Sequence, residues 1–193
     1  MVATPRKKLA VLISGRGSNM EAILAASRFK TFPAKIAIVI SDKADAKGLE
    51  TAIKSGIQAR SFERKNYSDK ASHEAAIIDA IDAAEADIIC LAGYMCILSA
   101  NFTKTYESRL INIHPSLLPK YKGLDTHQRA LDAGEKEHGC TVHFVNSEMD
   151  GGKIIAQAKV PVLANDTADT LSARVLVEEH KLYSNVIADL AKI

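Results

Sequence analysis

Short, uninterrupted apolar runs alternate with amphipathic segments along the first half of the chain. Leu9-Ala10-Val11-Leu12-Ile13, Ile36-Ala37-Ile38-Val39-Ile40 and Ile88-Ile89-Cys90-Leu91-Ala92 are apolar at every position. That is the pattern of strands covered by helices on both faces. Residues 109–114 read as a further strand that ends in polar groups. Between the runs, the spacing predicts helices over 19–26, 47–55 and 69–84, and in the last of these Ile77, Ile78, Ile81 and Ala84 share one face. A short strand at 59–62 separates the second and third helices. Such alternation defines β-α units on a largely parallel sheet, an α/β fold.

The second half follows a different rhythm. Loop signals crowd 115–123, and a helix is predicted over 126–133. Thr141-Val142-His143-Phe144-Val145 alternates with period two, and the apolar run 154–160 follows Gly151-Gly152, which reads as an antiparallel hairpin. From Thr167 a long helix is expected almost to Ile193. There is no repeat and no linker rich in Pro, Gly or Ser, so residues 1–193 are read as one domain.

Composition narrows the class. Of 193 residues, 47% are hydrophobic and 25% charged, which excludes wholesale disorder. With 25 Lys+Arg against 23 Asp+Glu the net charge is +2, so the electrostatic argument for a nucleic-acid or membrane-surface partner is absent. No apolar run approaches the roughly 20 residues of a spanning helix. The chain opens on a basic stretch, residues 1–8, but the apolar run after it is too short for a signal peptide and ends in glycines. Cys90, Cys96 and Cys140 form neither an even framework nor a Cys-x-x-Cys pair, and are read as reduced thiols of a cytoplasmic protein.

Candidate chemistry starts after the first strand. In Ser14-Gly15-Arg16-Gly17-Ser18-Asn19 the glycines permit a tight turn into a helix, whose free N–H groups form an anion site. Ser18 and Asn19 add donors and can cap the helix. The motif is neither a dinucleotide fingerprint nor a Walker loop, which favours a single phosphate; a capped turn with no ligand stays open. Asn112 and His114 stand two residues apart and project together at the carboxyl end of their strand, before a loop stiffened by Pro115 and Pro119. An amide beside an imidazole suits acyl transfer: one donates to a developing oxyanion, the other moves a proton. A strand-end histidine bonded to backbone is the plainer alternative. A neighbouring carboxylate would favour the charged imidazole, and Glu148-Met149-Asp150-Gly151-Gly152 supplies candidates, unless it is simply an acidic turn.

On the last helix, Leu171, Val175, Leu182, Val186 and Leu190 define an apolar stripe, and Glu179 falls inside it, about 40° from Val175. A carboxylate there is costly unless paired. Either Arg174 or a backbone group satisfies it, or it meets a polar ligand such as ribose hydroxyls or an amine. Six histidines invite a metal reading, but none has ligand spacing, and no nucleophile elbow surrounds Ser116. Metal and covalent nucleophile are both rejected. His180 reads as a helix-surface residue, His143 as a possible site residue on its strand, Cys90 as core and Cys96 as an exposed loop thiol.

Taken together, Ile13-Ser14-Gly15-Arg16-Gly17-Ser18-Asn19, Leu91-Ala92-Gly93-Tyr94-Met95, Asn112-Ile113-His114-Pro115-Ser116-Leu117-Leu118-Pro119 and Met149-Asp150-Gly151-Gly152 give the chain its identity. In this order and spacing the sequence closely resembles the phosphoribosylglycinamide formyltransferase family, from Val11 to about Tyr183. The resemblance implies a Rossmann-like, mostly parallel sheet with an antiparallel C-terminal portion. It implies formyl transfer from 10-formyltetrahydrofolate, a co-substrate, to the amine of glycinamide ribonucleotide in purine biosynthesis, with no metal. Gly17, Ser18, Asn19 and Glu179 match ribonucleotide-binding positions. Lys70, Met95, Cys96, Ile97, Leu98, Asn112, Asn146, Ser147, Glu148, Met149 and Asp150 match positions around the folate. Asn112, His114 and Asp150 match the catalytic trio. The N-terminal half is expected to bind the phosphate, the C-terminal half the folate. The partners implied are these two small molecules, with no nucleic acid and no membrane, for a monomer or homodimer in the cytoplasm.

Two positions depart from the family pattern. Cys96 stands where some members have arginine, and Lys70 where an arginine near the folate is frequent. An extended tail after the last helix of some relatives is missing. Two related activities are disfavoured by length: the first strand begins within ten residues of Met1, leaving no room for the regulatory domain of the folate-deformylating hydrolase. The RNA-binding domain of methionyl-tRNA formyltransferase is likewise not accommodated. A non-catalytic phosphosugar-binding module would need neither His114 nor Asp150.

Overall fold

The computed structural model describes residues 5–192; Met1–Thr4 of the basic opening stretch and the final Ile193 lie outside the described residues. Strand β1 (Lys7–Ile13) organises the rest, because both of its faces are buried. Leu9, Val11 and Ile13 enter one core and Ala10 and Leu12 the other, all fully inaccessible. This is the two-faced burial that its uninterrupted apolar run predicts.

The elements follow in the order α1 (Ser18–Ser27), β2 (Ala34–Ser41), α2 (Lys47–Lys54), β3 (Gln58–Ser61), α3 (Lys70–Ala83), β4 (Ile88–Leu91), α4 (Ala100–Thr105), β5 (Leu110–His114), α5 (Thr126–Asp132), β6 (Glu137–Phe144), β7 (Ile154–Pro161) and α6 (Ala168–Leu190). They build a seven-stranded sheet in the order β3-β2-β1-β4-β5-β6-β7. The first five strands run parallel, and β6 and β7 return antiparallel. Helices α1, α2 and α6 supply side chains to one core, while α3 and α4 supply the other with Ile77, Ile81, Phe102 and Tyr106.

Most predicted elements fall within a few residues of their expected ends. Two short helical pieces were not foreseen: α4, and a 3-10 turn at Arg64–Asn66. At six residues, α4 is too short to display a helical period, and it is started by Ser99, whose hydroxyl accepts from Phe102 N at 3.1 Å. Strand β6 starts at Glu137, four residues before the alternation becomes visible, through Gly139 and Cys140.

The strand order places the site. Successive units run outward from β1 in both directions, to β2 on one side and β4 on the other, which makes the carboxyl ends of β1 and β4 the switch point of the sheet, where a crevice is expected. Tyr183 of α6 closes that crevice from below. It is fully buried, and its hydroxyl lies 2.9 Å from Leu91 O and 3.1 Å from Ile111 O, tying the helix to the ends of β4 and β5. Removing the hydroxyl in Tyr183→Phe keeps the ring and leaves those carbonyls without this donor. We expect a loss of about 1–2 kcal/mol, read as a lower urea midpoint at unchanged m-value; an unchanged midpoint would show that the bond adds nothing to stability.

Candidate active site

The glycine loop is held by its neighbours. Ser14 N donates to Gly93 O at 3.1 Å and Ser14 Oγ accepts from Met95 N at 2.8 Å, so the loops after β1 and β4 are laced together. Gly17 stands at the start of α1 in the left-handed region, φ 77°, where a side chain would be strained. A Cβ on it would also lie 3.3 Å from the Cα of Gly48, because α2 packs directly under the loop. The helix has no side-chain cap, contrary to the role expected of Ser18 or Asn19. Asn19 turns inward instead, and the first N–H groups of α1 remain free of helical partners.

Asn19 Nδ2 donates to Glu179 Oε2 at 2.7 Å, joining α1 to α6. Glu179 is 7% exposed, and burial raises its carboxyl above the usual range, opposed by the bond from Asn19. The Arg174 partner considered for Glu179 is not there. Arg174 forms a two-nitrogen pair with Asp166 at 2.7 and 2.8 Å, and that guanidinium holds Asp166 well below the carboxylate range. Asn19 Oδ1 is buried with no partner. His180 is half-buried rather than on the surface, and burial lowers its pKa.

At the carboxyl end of β5 the register with β6 sets Asn112 opposite His143 and His114 opposite Thr141. His143 Nδ1 lies 2.9 Å from Phe144 O, and that contact makes Nδ1 the protonated nitrogen. Its Nε2, 3.2 Å from Asn112 Nδ2, therefore accepts from the amide and orients it. Burial lowers the pKa of His143, so it holds this acceptor form near neutral pH. One amide hydrogen of Asn112 stays free for another acceptor.

Asp150, left out of reach by sequence, arrives in the structure beside His114. Its Oδ2 is 3.4 Å from His114 Nδ1 and accepts from Gly123 N at 2.9 Å, while Oδ1 is 3.7 Å from His143 Nε2. The backbone at Asp150 is left-handed, φ 48°. His114 is 5% exposed, with Nε2 2.9 Å from Tyr121 O. The exit loop is pinned by Thr141, whose hydroxyl donates to Ser116 O and accepts from Leu118 N and Gln157 Nε2. Tyr121, Gly123, Thr141 and Gln157 were not singled out from sequence. Only Thr141, two residues before His143 on an alternating strand, carried a usable signal.

These groups face a cavity of about 850 Å³. Asn19, Asn112, His114, Asp150 and Glu179 line it, as do Met95, Cys96, Ile97 and Leu98 on one wall and Asn146, Ser147, Glu148 and Met149 on another. Gly17 and Ser18 lie just behind Asn19 and are not in the lining. Lys70 is not brought to the cavity either: it begins α3 with its ammonium 3.8 Å from Glu74, whose carboxylate accepts from Ser99 N at 2.8 Å. Cys96 is half-buried rather than exposed, its thiol donating to Asp42 Oδ2 at 3.2 Å. Burial and that carboxylate push the thiol up to about 11, which suppresses the nucleophilic thiolate. Among the described residues no three His, Cys, Asp or Glu side chains gather as a metal site, and no helix is long and apolar enough to cross a membrane.

An amide donor, an imidazole and a carboxylate brought together beside the carboxyl end of β5 are groups suited to acyl transfer. A family model described as formyl transferase matches residues 7–187, and the chain belongs to that family. It is 50% identical over 181 residues to phosphoribosylglycinamide formyltransferase of Haemophilus influenzae, covering 94% of this chain and 85% of that protein. It is 46% identical over 184 residues to the trifunctional purine biosynthetic protein adenosine-3 of Bos taurus, covering 95% of this chain and 18% of that longer protein. Among solved structures, phosphoribosylglycinamide formyltransferase from Brucella melitensis matches with a TM-score of 0.93 at 54% identity, over 96% of both chains.

The raised carboxyl of Glu179 gives a test with a definite sign. A group whose folded pKa is raised contributes its stability fully below the unfolded pKa and loses it as pH rises through the folded value. Glu179→Gln keeps the acceptor for Asn19 and removes the charge. We expect its Tm to exceed that of the parent at pH 7–8 and the difference to shrink toward pH 4; a difference independent of pH would mean that the buried charge carries no such penalty.

Proposed function

We infer that this chain transfers the formyl group of 10-formyltetrahydrofolate to the primary amine of glycinamide ribonucleotide, yielding formylglycinamide ribonucleotide and tetrahydrofolate. The observation that carries the reading is the meeting of Asn112, His114 and Asp150 in the wall of one cavity that also takes in two unlike groups of residues. One group is Asn19 and Glu179 beside the free N–H groups of α1, suited to a sugar phosphate. The other is Met95, Ile97, Leu98, Val145 and Met149 with loop backbone between them, suited to a flat heteroaromatic ring. The names of the relatives, in purine biosynthesis, agree with it.

The chemistry follows from the geometry. The amine nitrogen attacks the formyl carbon, a new C–N bond forms, and negative charge gathers on the formyl oxygen. The free N–H of Asn112 donates to that oxygen, and a protonated His114 adds charge stabilisation. An imidazolium at this position has an acceptor for each N–H: the Tyr121 carbonyl for Nε2 and Asp150 for Nδ1. Asp150 takes the proton released by the attacking amine, and a proton passes back from it to the folate nitrogen as the bond from that nitrogen to the formyl carbon breaks. Gly17, Ser18, Asn19 and Glu179 serve the ribonucleotide; Met95 to Leu98 and Asn146 to Asp150 serve the folate. Lys70 belongs to neither group and is assigned no contact. The reaction runs within a single formyltransferase domain, the N-terminal half holding phosphate and the C-terminal half folate, and its two water-soluble substrates suit the cytoplasm.

Purified protein given 10-formyltetrahydrofolate and the ribonucleotide should form tetrahydrofolate and formylated product in equal amounts. Formate released at the same rate without the amine would assign a hydrolase instead. His114→Ala should lower turnover on the order of 10²–10⁴-fold while ribonucleotide affinity, by calorimetry, changes only a few-fold; an equal loss of affinity would remove the catalytic role.

A further inference from the structure

Between β5 and α5 the chain repeatedly adopts a conformation that L residues avoid. Tyr121, Gly123 and Asp125 all have positive φ, at 56°, 79° and 56°. Two of the three are not glycine, so the surroundings must hold them there. The run has a consequence at the site. It aims the Tyr121 carbonyl at His114 Nε2 and the Gly123 N–H at Asp150 Oδ2, the two backbone contacts that orient the acid–base pair.

What holds the run is one side chain of the helix that follows. Arg129 Nη1 donates to Lys122 O at 2.7 Å and to Leu124 O at 3.1 Å, and its guanidinium carbon lies 5.3 Å from the centre of the Tyr121 ring. Its two carbonyl partners alternate with the three left-handed residues, so a single cation fixes two of the four peptides of the run, 122–123 and 124–125. The far side of Tyr121 is anchored by its hydroxyl on Glu135, at 2.8 Å. Arg129 is outside the cavity lining and touches neither His114 nor Asp150.

We propose that Arg129 is a positioning residue for formyl transfer, acting through the 121–125 backbone to hold His114 and Asp150 in register. The proposal rests on the formyl-transfer reading above. Loss of the clamp lets the Tyr121 carbonyl and Gly123 N–H drift, and displacements of about an ångström at reacting groups cost on the order of a hundredfold in rate. Arg129 itself is outside the cavity lining, although Gly123, Leu124 and Asp125 of the run are in it, so the loss is expected chiefly in kcat.

The test compares Arg129→Met, which keeps an apolar stem on the Tyr121 ring and deletes the donors, with Arg129→Lys, whose single nitrogen can reach both carbonyls as Nη1 does. We expect Arg129→Met to lower kcat tenfold to a hundredfold, with KM for both substrates within about twofold and Tm nearly unchanged. Arg129→Lys should recover most of the rate. In ¹⁵N-labelled protein without substrates, the His114 Nε2–H proton bonded to Tyr121 O should be slow to exchange in the parent and in Arg129→Lys, and fast in Arg129→Met. Unchanged kcat with that proton still protected in Arg129→Met overturns the proposal, as does a rise in KM at constant kcat, which would make Arg129 a substrate contact. If Arg129→Met does not fold, Arg129→Gln carries the same comparison. A parent protein that transfers no formyl group defeats the functional reading, while the proton-exchange measurement still decides whether Arg129 governs His114.

Discussion

The carboxylate of Asp150 is the contact on which the rest of the site depends. It has two ionisable neighbours, His114 Nδ1 at 3.4 Å and His143 Nε2 at 3.7 Å, and one fixed donor, Gly123 N, at 2.9 Å. A carboxylate this enclosed survives only if its lone pairs are engaged. The fold supplies the engagement from two segments: β5 brings His114, and the loop between β5 and α5 brings Gly123, while His143 of β6 stands beside the carboxylate with its Nε2 accepting from Asn112. The antiparallel return of β6 is therefore part of the chemistry. A parallel strand at that edge would need a crossover and would not set His143 directly against Asn112.

On the proposed function, anion recognition would not need a basic surface. The chain carries a net charge of only +2, and an acid, Glu179, sits in the cavity wall nearest the glycine loop. The free N–H groups of α1 provide positive potential at a fixed place, and Asn19 holds Glu179 through its amide, leaving its own Oδ1 unpartnered and buried. An orphaned acceptor beside a desolvated acid is a costly arrangement. On the proposed function, ribose hydroxyls would donate to these oxygens.

What could be read from sequence follows from the range of the interactions involved. β1 and β4 show themselves because burial on both faces demands an apolar residue at every position, and Glu179 shows itself because one acid breaks a regular stripe. Asn112 and His114 share a face by strand geometry alone. Asp150 was a candidate with no location, because its approach to His114 depends on the β6–β7 register and on a left-handed backbone at a residue that is not glycine. Tyr121 and Gly123 act through main-chain atoms, which every residue possesses, so their identities carry no signal. The Arg174 expectation failed for a related reason. Arg174 and Glu179 are five residues apart, about 140° around the helix, and so do not share a face, while Asp166, ahead of the helix start, offers Arg174 a two-oxygen partner.

Strain and buried charge both occur in the segments that meet at the cavity. Tyr121, Asp125 and Asp150 are left-handed, each at a cost of about 1–3 kcal/mol, and Glu179 and His143 are titratable groups whose charged forms burial opposes. The two cores show the opposite character, with Leu9, Val11 and Ile13 on one face and Leu12 and Ile38 on the other fully inaccessible. Such a division has a mechanical consequence. The cores hold β4 and β5 rigid to their last residues, so the strained loops have a fixed frame against which to be bent. Relaxing any one of them would move Asn112, His114 or Asp150 relative to the other two. Stability of the sheet and tension in the loops are therefore not competing designs; the first is the condition for the second.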